Sequence, residues 1–149
     1  MPLAMRQWVA GEVHRYYWQD NINCARTVLA ILAELAGLAV HPQVWAAAAG
    51  LHGAGGYGAQ CGLVEGGLLY IGMAGTERGL DDEAVGDLCR EFAAGFEAAH
   101  GSLLCRELRL EGFGADDPPH LCEGRTVAAA LFAVAFMREH GLLARGEDR

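Results

Sequence analysis

Apolar positions along this chain recur at intervals of three and four residues, the period of an α-helix. The alternating pattern of a half-buried strand, with its β-branched enrichment, is nearly missing. Helices are therefore predicted throughout. Arg6 to Trp18 reads as a first helix, interrupted by Gly11. Asn21-Ile22-Asn23 offers a cap for a second, Cys24 to Leu35, with Val28, Leu32 and Leu35 on one face and Gly37 as its stop. Pro42 opens a short helix through Ala49, which runs into a loop holding Gly50, Gly53, Gly55, Gly56 and Gly58.

The second half has the same character. Cys61 to Met73 reads as a helix of small residues whose glycines, Gly62, Gly66 and Gly67, point to close helix–helix contact. Asp81, Asp82 and Glu83 start the next helix at the positive end of its dipole, and His100-Gly101 closes it. Its stripe is Val85, Leu88, Cys89, Phe92 and Phe96. Ser102 caps a short helix, Leu103 to Leu110, followed by a loop from Gly112 to Asp117. Pro118-Pro119 leads into a last helix through about His140, and residues from about 144 to 149 form a polar tail. The expectation is an all-α, compact bundle of six or seven short helices with a Gly-rich loop, in a single domain over residues 1–149. Tyr16, Tyr17 and Trp18 read as a helix face packing on the core.

Composition narrows the function. The chain has 52% hydrophobic and 20% charged residues, enough apolar material for one core at 149 residues. All 11 basic residues are Arg, and the net charge is −8. Without Lys there is no Schiff-base chemistry and no P-loop lysine. The acidic balance disfavours a nucleic-acid or anionic-membrane partner. The first residues lack the apolar region of a signal peptide. The longest apolar run, Thr126 to Met137, falls short of the roughly 18 residues of a membrane span. A cytoplasmic protein without membrane insertion is expected. The Gly-rich loop has the freedom to cradle a phosphate, yet it lacks the Gly-Lys-Ser/Thr ending and a preceding strand.

Five cysteines remain, an odd count that argues against a secreted disulfide framework. Four of them fall in or near the first turn of four different helices: Cys24 after the Asn caps, Cys61 after the glycine loop, Cys105 after Ser102, and Cys122 beyond the prolines. Unpaired backbone N–H groups and the helix dipole favour thiolate there, the form that binds metal or attacks a disulfide. Cys89 lies on an apolar stripe and reads as a core thiol. No Cys-x-x-Cys occurs, so any common site is assembled by the fold. Of the six histidines, His120 and His52 are near enough in sequence to Cys122 and Cys61 to complete a mixed Cys/His metal site or act as a base. The bland alternative for each is a polar surface residue.

Cys61-Gly62-Leu63-Val64-Glu65-Gly66 resembles the Cys-Gly-Ala-x-x-Gly element of the C_GCAxxG_C_C family of redox-active proteins, with Leu63 in place of Ala. The order of elements also resembles it: Asn23-Cys24-Ala25 opening a helix, the glycine loop and Cys61, Gly101-Ser102-x-x-Cys105-Arg106-Glu107-Leu108, then Cys122. The resemblance runs from about Gln19 to Ala135, and Cys89 matches none of the family cysteines. A similar domain occurs in split-Soret cytochromes, beside haem and an iron–sulfur centre. The resemblance implies Cys24, Cys61, Cys105 and Cys122 as cluster ligands and, from neighbouring genes, a link to a membrane transporter. Cys-x-x-Cys-His is missing, so covalent haem is not expected.

Three functions stand open. In the first, the four cysteines bind an iron–sulfur cluster and exchange electrons with a redox partner protein. In the second, the same four are metal-free redox thiols cycling between dithiol and disulfide. In the third, they hold a structural Zn²⁺, with His120 as a further ligand, in a helical interaction module. The small-residue helix faces and the analogy with related domains suggest a homodimer.

Overall fold

The computed structural model describes residues 1–109, 111–112 and 114–144. Among them the protein is all-helical, with a single isolated β-bridge, between Gln60 and Leu104, and no strands. Seven α-helices follow one another: α1 Leu3–Trp18, α2 Cys24–Ala36, α3 Pro42–Ala47, α4 Gly62–Glu77, α5 Asp82–His100, α6 Cys105–Leu108 and α7 Glu123–Glu139. The end of the short helix expected to reach Leu110, Phe113 in the loop after it, and most of the polar tail lie outside the described residues.

Local chemistry sets most of the boundaries. Asn23 caps α2 by accepting the Arg26 N–H at 2.9 Å, and Gly37 ends it in the left-handed conformation at φ 64°. Asp81 accepts the Ala84 N–H at 2.9 Å, and Gly101 closes α5 at φ 95°. Helix α1 runs straight through Gly11, and α4 continues four residues past Met73, because apolar packing outweighs the roughly 1 kcal/mol cost of each glycine. Between Gly53 and Gly58 the chain does not form a usable helix. Gly53, Ala54, Gly55 and Gly56 all take positive φ, which reverses the chain in a tight left-handed turn.

Helix α2 is central, with Ala25, Val28, Leu29, Ile31, Leu32 and Ala33 all buried. It packs chiefly on α4, and α5 and α7 complete the main core. Gly66 and Gly67 make that packing possible. A Cβ on Gly66 would stand 2.9 Å from Val28 Cβ, and one on Gly67 would overlap the Phe92 ring. Phe92, Phe96, Phe132 and Phe136 form an aromatic cluster, with the Phe92 and Phe136 rings edge to face at 5.2 Å. A second, smaller core joins Val9, Val13 and Tyr17 of α1 to Ile31 and Ala130.

The last helix is broader than its apolar count suggested. A 3₁₀ turn, Pro119–Cys122, feeds into α7, and the combined run Pro119–Glu139 is long and apolar enough to cross a membrane by length and composition. Arg125 and other polar residues hide this from a count of uninterrupted apolar positions. Thr126, Ala129, Ala130, Ala133, Val134, Phe136 and Met137 of this run are buried within the protein itself.

Candidate thiol site

Four separate devices place the four helix-start cysteines. Cys24 opens α2 directly after its cap, and the Asn23 side-chain amide also donates to the Ala48 and Ala49 carbonyls at 2.9 and 3.0 Å. That pins the start of α2 to the turn before the glycine loop. Cys61 and Cys105 are brought together by backbone pairing. The Cys61 N–H donates to the Leu103 carbonyl at 2.7 Å, and the Cys105 N–H donates to the Ala59 carbonyl at 2.8 Å. This pairing also shortens the helix expected from Leu103, since Leu104 is held extended opposite Gln60. Ser102 still acts at its start, accepting the Leu104 N–H at 3.0 Å and donating to Glu107 at 2.5 Å. Cys122 ends the 3₁₀ turn that leans on α1.

Cys24, Cys105 and Cys122 line one cavity of about 410 Å³. Cys61, only 5% exposed, lies against this group, and its neighbour Gly62 touches the Cys24 sulfur. The glycine loop closes in from the other side: a Cβ on Gly53 would stand 3.1 Å from Cys105 Cβ and 3.4 Å from its sulfur. Cys89 is half-buried against the main core and takes no part in the cavity wall.

Electrostatics reverse one expectation. Helix starts favour thiolate, yet burial pushes the Cys24 thiol far above its ordinary range and Cys61 up to about 12, with the neighbouring cysteines adding to both. The Leu63 and Val64 amides pull Cys61 down without overcoming its desolvation. Cys105 is raised by burial and by Cys122, against the pull of Arg109 and Arg125. Removing a charge from water costs more than one helix turn returns. These three are neutral thiols at pH 7 unless a cation joins them.

The fold adds residues that local sequence did not single out. Tyr17 is 2% exposed and lines the cavity, its hydroxyl hydrogen-bonded to Thr126 Oγ1 at 2.6 Å. Arg109, largely buried, donates to Asp117 Oδ2 at 2.5 Å, and both line the cavity. Asp117 also accepts the Gly114 N–H at 3.0 Å, closing the turn within the loop expected from Gly112 to Asp117. Of the two histidines, His52 lines the cavity and His120 does not. The His120 ring instead stacks on Trp18, with centroids 4.0 Å apart. Trp18 is thus not core: it is 54% exposed, and its indole N–H donates to Glu123 at 2.9 Å.

The donor set is sulfur, which suits zinc or an iron–sulfur cluster. Among the described residues, no three His, Cys, Asp or Glu side chains are gathered tightly enough to hold one metal ion. Cys24, Cys105 and Cys122 border the cavity, and Cys61 lies behind its wall.

Fold and site together define a small all-helical protein built around four cysteines from four different segments. The chain belongs to the C_GCAxxG_C_C family, described as "Putative redox-active protein (C_GCAxxG_C_C)", whose family model matches residues 22–136. That span holds Cys24, Cys61, Cys105 and Cys122 and leaves α1 outside. No curated protein and no solved structure matches the chain.

Proposed function

We propose that Cys24, Cys61, Cys105 and Cys122 together hold an iron–sulfur cluster and that the protein is an electron carrier. The observation behind this reading is that Cys24, Cys105 and Cys122, distant in sequence, line one cavity, with the buried Cys61 close enough to Cys24 to act on its charge. Family membership supports redox activity in general, and the thiols supply the particular chemistry. Burial holds the Cys24, Cys61 and Cys105 thiols above their ordinary range, and a bound cluster would supply the positive charge that lets them ionise, along with one-electron chemistry. The protein's own contribution is a cavity lined by Cys24, Cys105 and Cys122 and a glycine turn that lets backbone approach the Cys105 sulfur. A redox partner protein would deliver or remove the electron.

Anaerobic purification followed by a visible spectrum and iron, sulfide and zinc analysis tests the reading. Broad visible absorption with stoichiometric iron and sulfide is expected, lost in Cys→Ser variants at each of the four positions. A colourless, metal-free protein whose thiol count falls on oxidation would replace it with dithiol/disulfide chemistry. Stoichiometric zinc would overturn both redox readings.

A further inference from the structure

Cys122 is the least anchored of the four helix-start cysteines. Asn23 pins the start of α2 at Cys24, and backbone pairing ties down Cys61 and Cys105. The 3₁₀ turn Pro119–Cys122 has neither device. None of its residues is buried, and Pro118 and Pro119 carry no N–H to donate. Among the described residues, no backbone hydrogen bond joins residues 118–122 to a segment remote in sequence. On the loop side the Asp117–Arg109 pair holds the approach to the turn.

Helix α1 supplies the other side. His14, Tyr17 and Trp18 share one face of α1 by their spacing of three and four residues, and each grips the turn or the start of α7. The Trp18 ring stacks on His120 with centroids 4.0 Å apart, and its indole N–H donates to Glu123 Oε2 at 2.9 Å. His14 Nδ1 is hydrogen-bonded to the other carboxylate oxygen, Oε1, at 2.7 Å. The Tyr17 and Thr126 hydroxyls are hydrogen-bonded at 2.6 Å. These contacts bracket the thiol, since His120 is two residues before Cys122, Glu123 one after and Thr126 four after. Trp18 is 54% exposed, so its ring adds little to the core. Its stack and its hydrogen bond both go to the segment that carries Cys122.

We propose that α1 is a strap that keeps Cys122 in the wall of the thiol cavity, with Trp18 as the positioning residue acting through His120 and Glu123. The helix precedes residues 22–136, so the strap lies outside the span matched by the family. It also goes beyond the cluster reading, because every contact in it is between protein groups. With the strap closed, Cys122 borders the cavity beside Cys24 and Cys105. With it released, the turn opens locally while the main core stays packed.

The test is site-resolved alkylation of the reduced, full-length chain by iodoacetamide, comparing wild type with Trp18→Ala. Cleavage after Arg puts each of the five cysteines on its own peptide, so mass spectrometry reads five rates at once. Loss of the stack and of one hydrogen bond to a carboxylate predicts about a tenfold faster reaction at Cys122. Cys24, Cys61, Cys105 and Cys89 change by less than about twofold, because the opening is local. Trp18→Phe keeps a ring on His120 and loses only the indole N–H, so its Cys122 rate falls between the two. An unchanged Cys122 rate in folded Trp18→Ala would overturn the strap. A rise of equal size at all five cysteines would mark general loosening and overturn it as well. If Trp18→Ala lost its helical circular dichroism, a wild-type Cys122 rate in Trp18→Phe would refute it. The readout needs no iron, so its result stands whether or not metal analysis finds a cluster.

Discussion

The Cys24 sulfur rests against Gly62. A Cβ at position 62 would overlap that sulfur and would also stand 2.6 Å from the Leu51 carbonyl oxygen and 3.0 Å from the Ala25 nitrogen. Two of those neighbours are backbone and cannot swing away. Gly62→Ala is therefore expected to destabilise the protein by about 1–3 kcal/mol through overpacking, despite a helix-propensity gain of about 1 kcal/mol. Gly72 on the same helix has nothing within 4 Å of a Cβ. Gly72→Ala should gain up to about 1 kcal/mol. Urea denaturation of the two variants checks both signs, and equal effects would remove the close-approach explanation.

Arg109 follows Cys105 by four residues and Asp117 precedes Cys122 by five, so their ion pair clamps two thiol-bearing segments together. The guanidinium is almost fully buried and the carboxylate about one-third exposed. Asp117→Asn should cost roughly 1–3 kcal/mol, below the range for a fully buried pair because of that exposure. It should also lower the iron bound per chain. A stable Asp117→Asn protein with full iron content would show that the backbone pairing at Cys61 and Cys105 suffices.

Cys89 packs on the main core, away from the cavity. Cys89→Ala is expected to keep full iron and an unchanged spectrum, at a stability cost of about 1 kcal/mol for a small half-buried side chain. Loss of the cofactor from a folded Cys89→Ala protein would refute its separate role.

His140 couples stability to pH. Burial lowers its affinity for a proton, but the Phe136 carbonyl at 3.0 Å and Glu91 at 3.2 Å overcome this, so the imidazole stays protonated above its ordinary range. A raised folded-state value stabilises the protein fully below the unfolded value of about 6.5. That contribution is lost as pH rises through the folded value. The melting temperature should fall across neutral pH, and His140→Gln should flatten that part of the profile. A wild-type profile unaffected by His140→Gln would show that the ion pair contributes nothing.

Helix starts and stops were legible because they are local. Asn23 and Asp81 cap, and Gly37 and Gly101 terminate, through interactions spanning only three or four residues. The close contacts at Gly62, Gly66 and Gly67 are tertiary, yet they too are legible, because small residues inside an apolar helix leave little else to explain them. Trp18 broke the pattern. Its place on α1 suggested core, but the helix ends there and its ring turns out to stack on His120.

Periodicity and capping chemistry in the chain itself thus set an all-helical architecture and separated four helix-start cysteines from Cys89. Folding determined that Cys24, Cys105 and Cys122 line one cavity, that burial raises Cys24, Cys61 and Cys105 above the ordinary thiol range, and that Tyr17 and the Arg109–Asp117 pair share the cavity wall. The difference is one of range. A cap or a helix period acts over a few neighbouring residues. Desolvation and contacts such as Tyr17 to Thr126, 109 positions apart, exist only once the helices have packed.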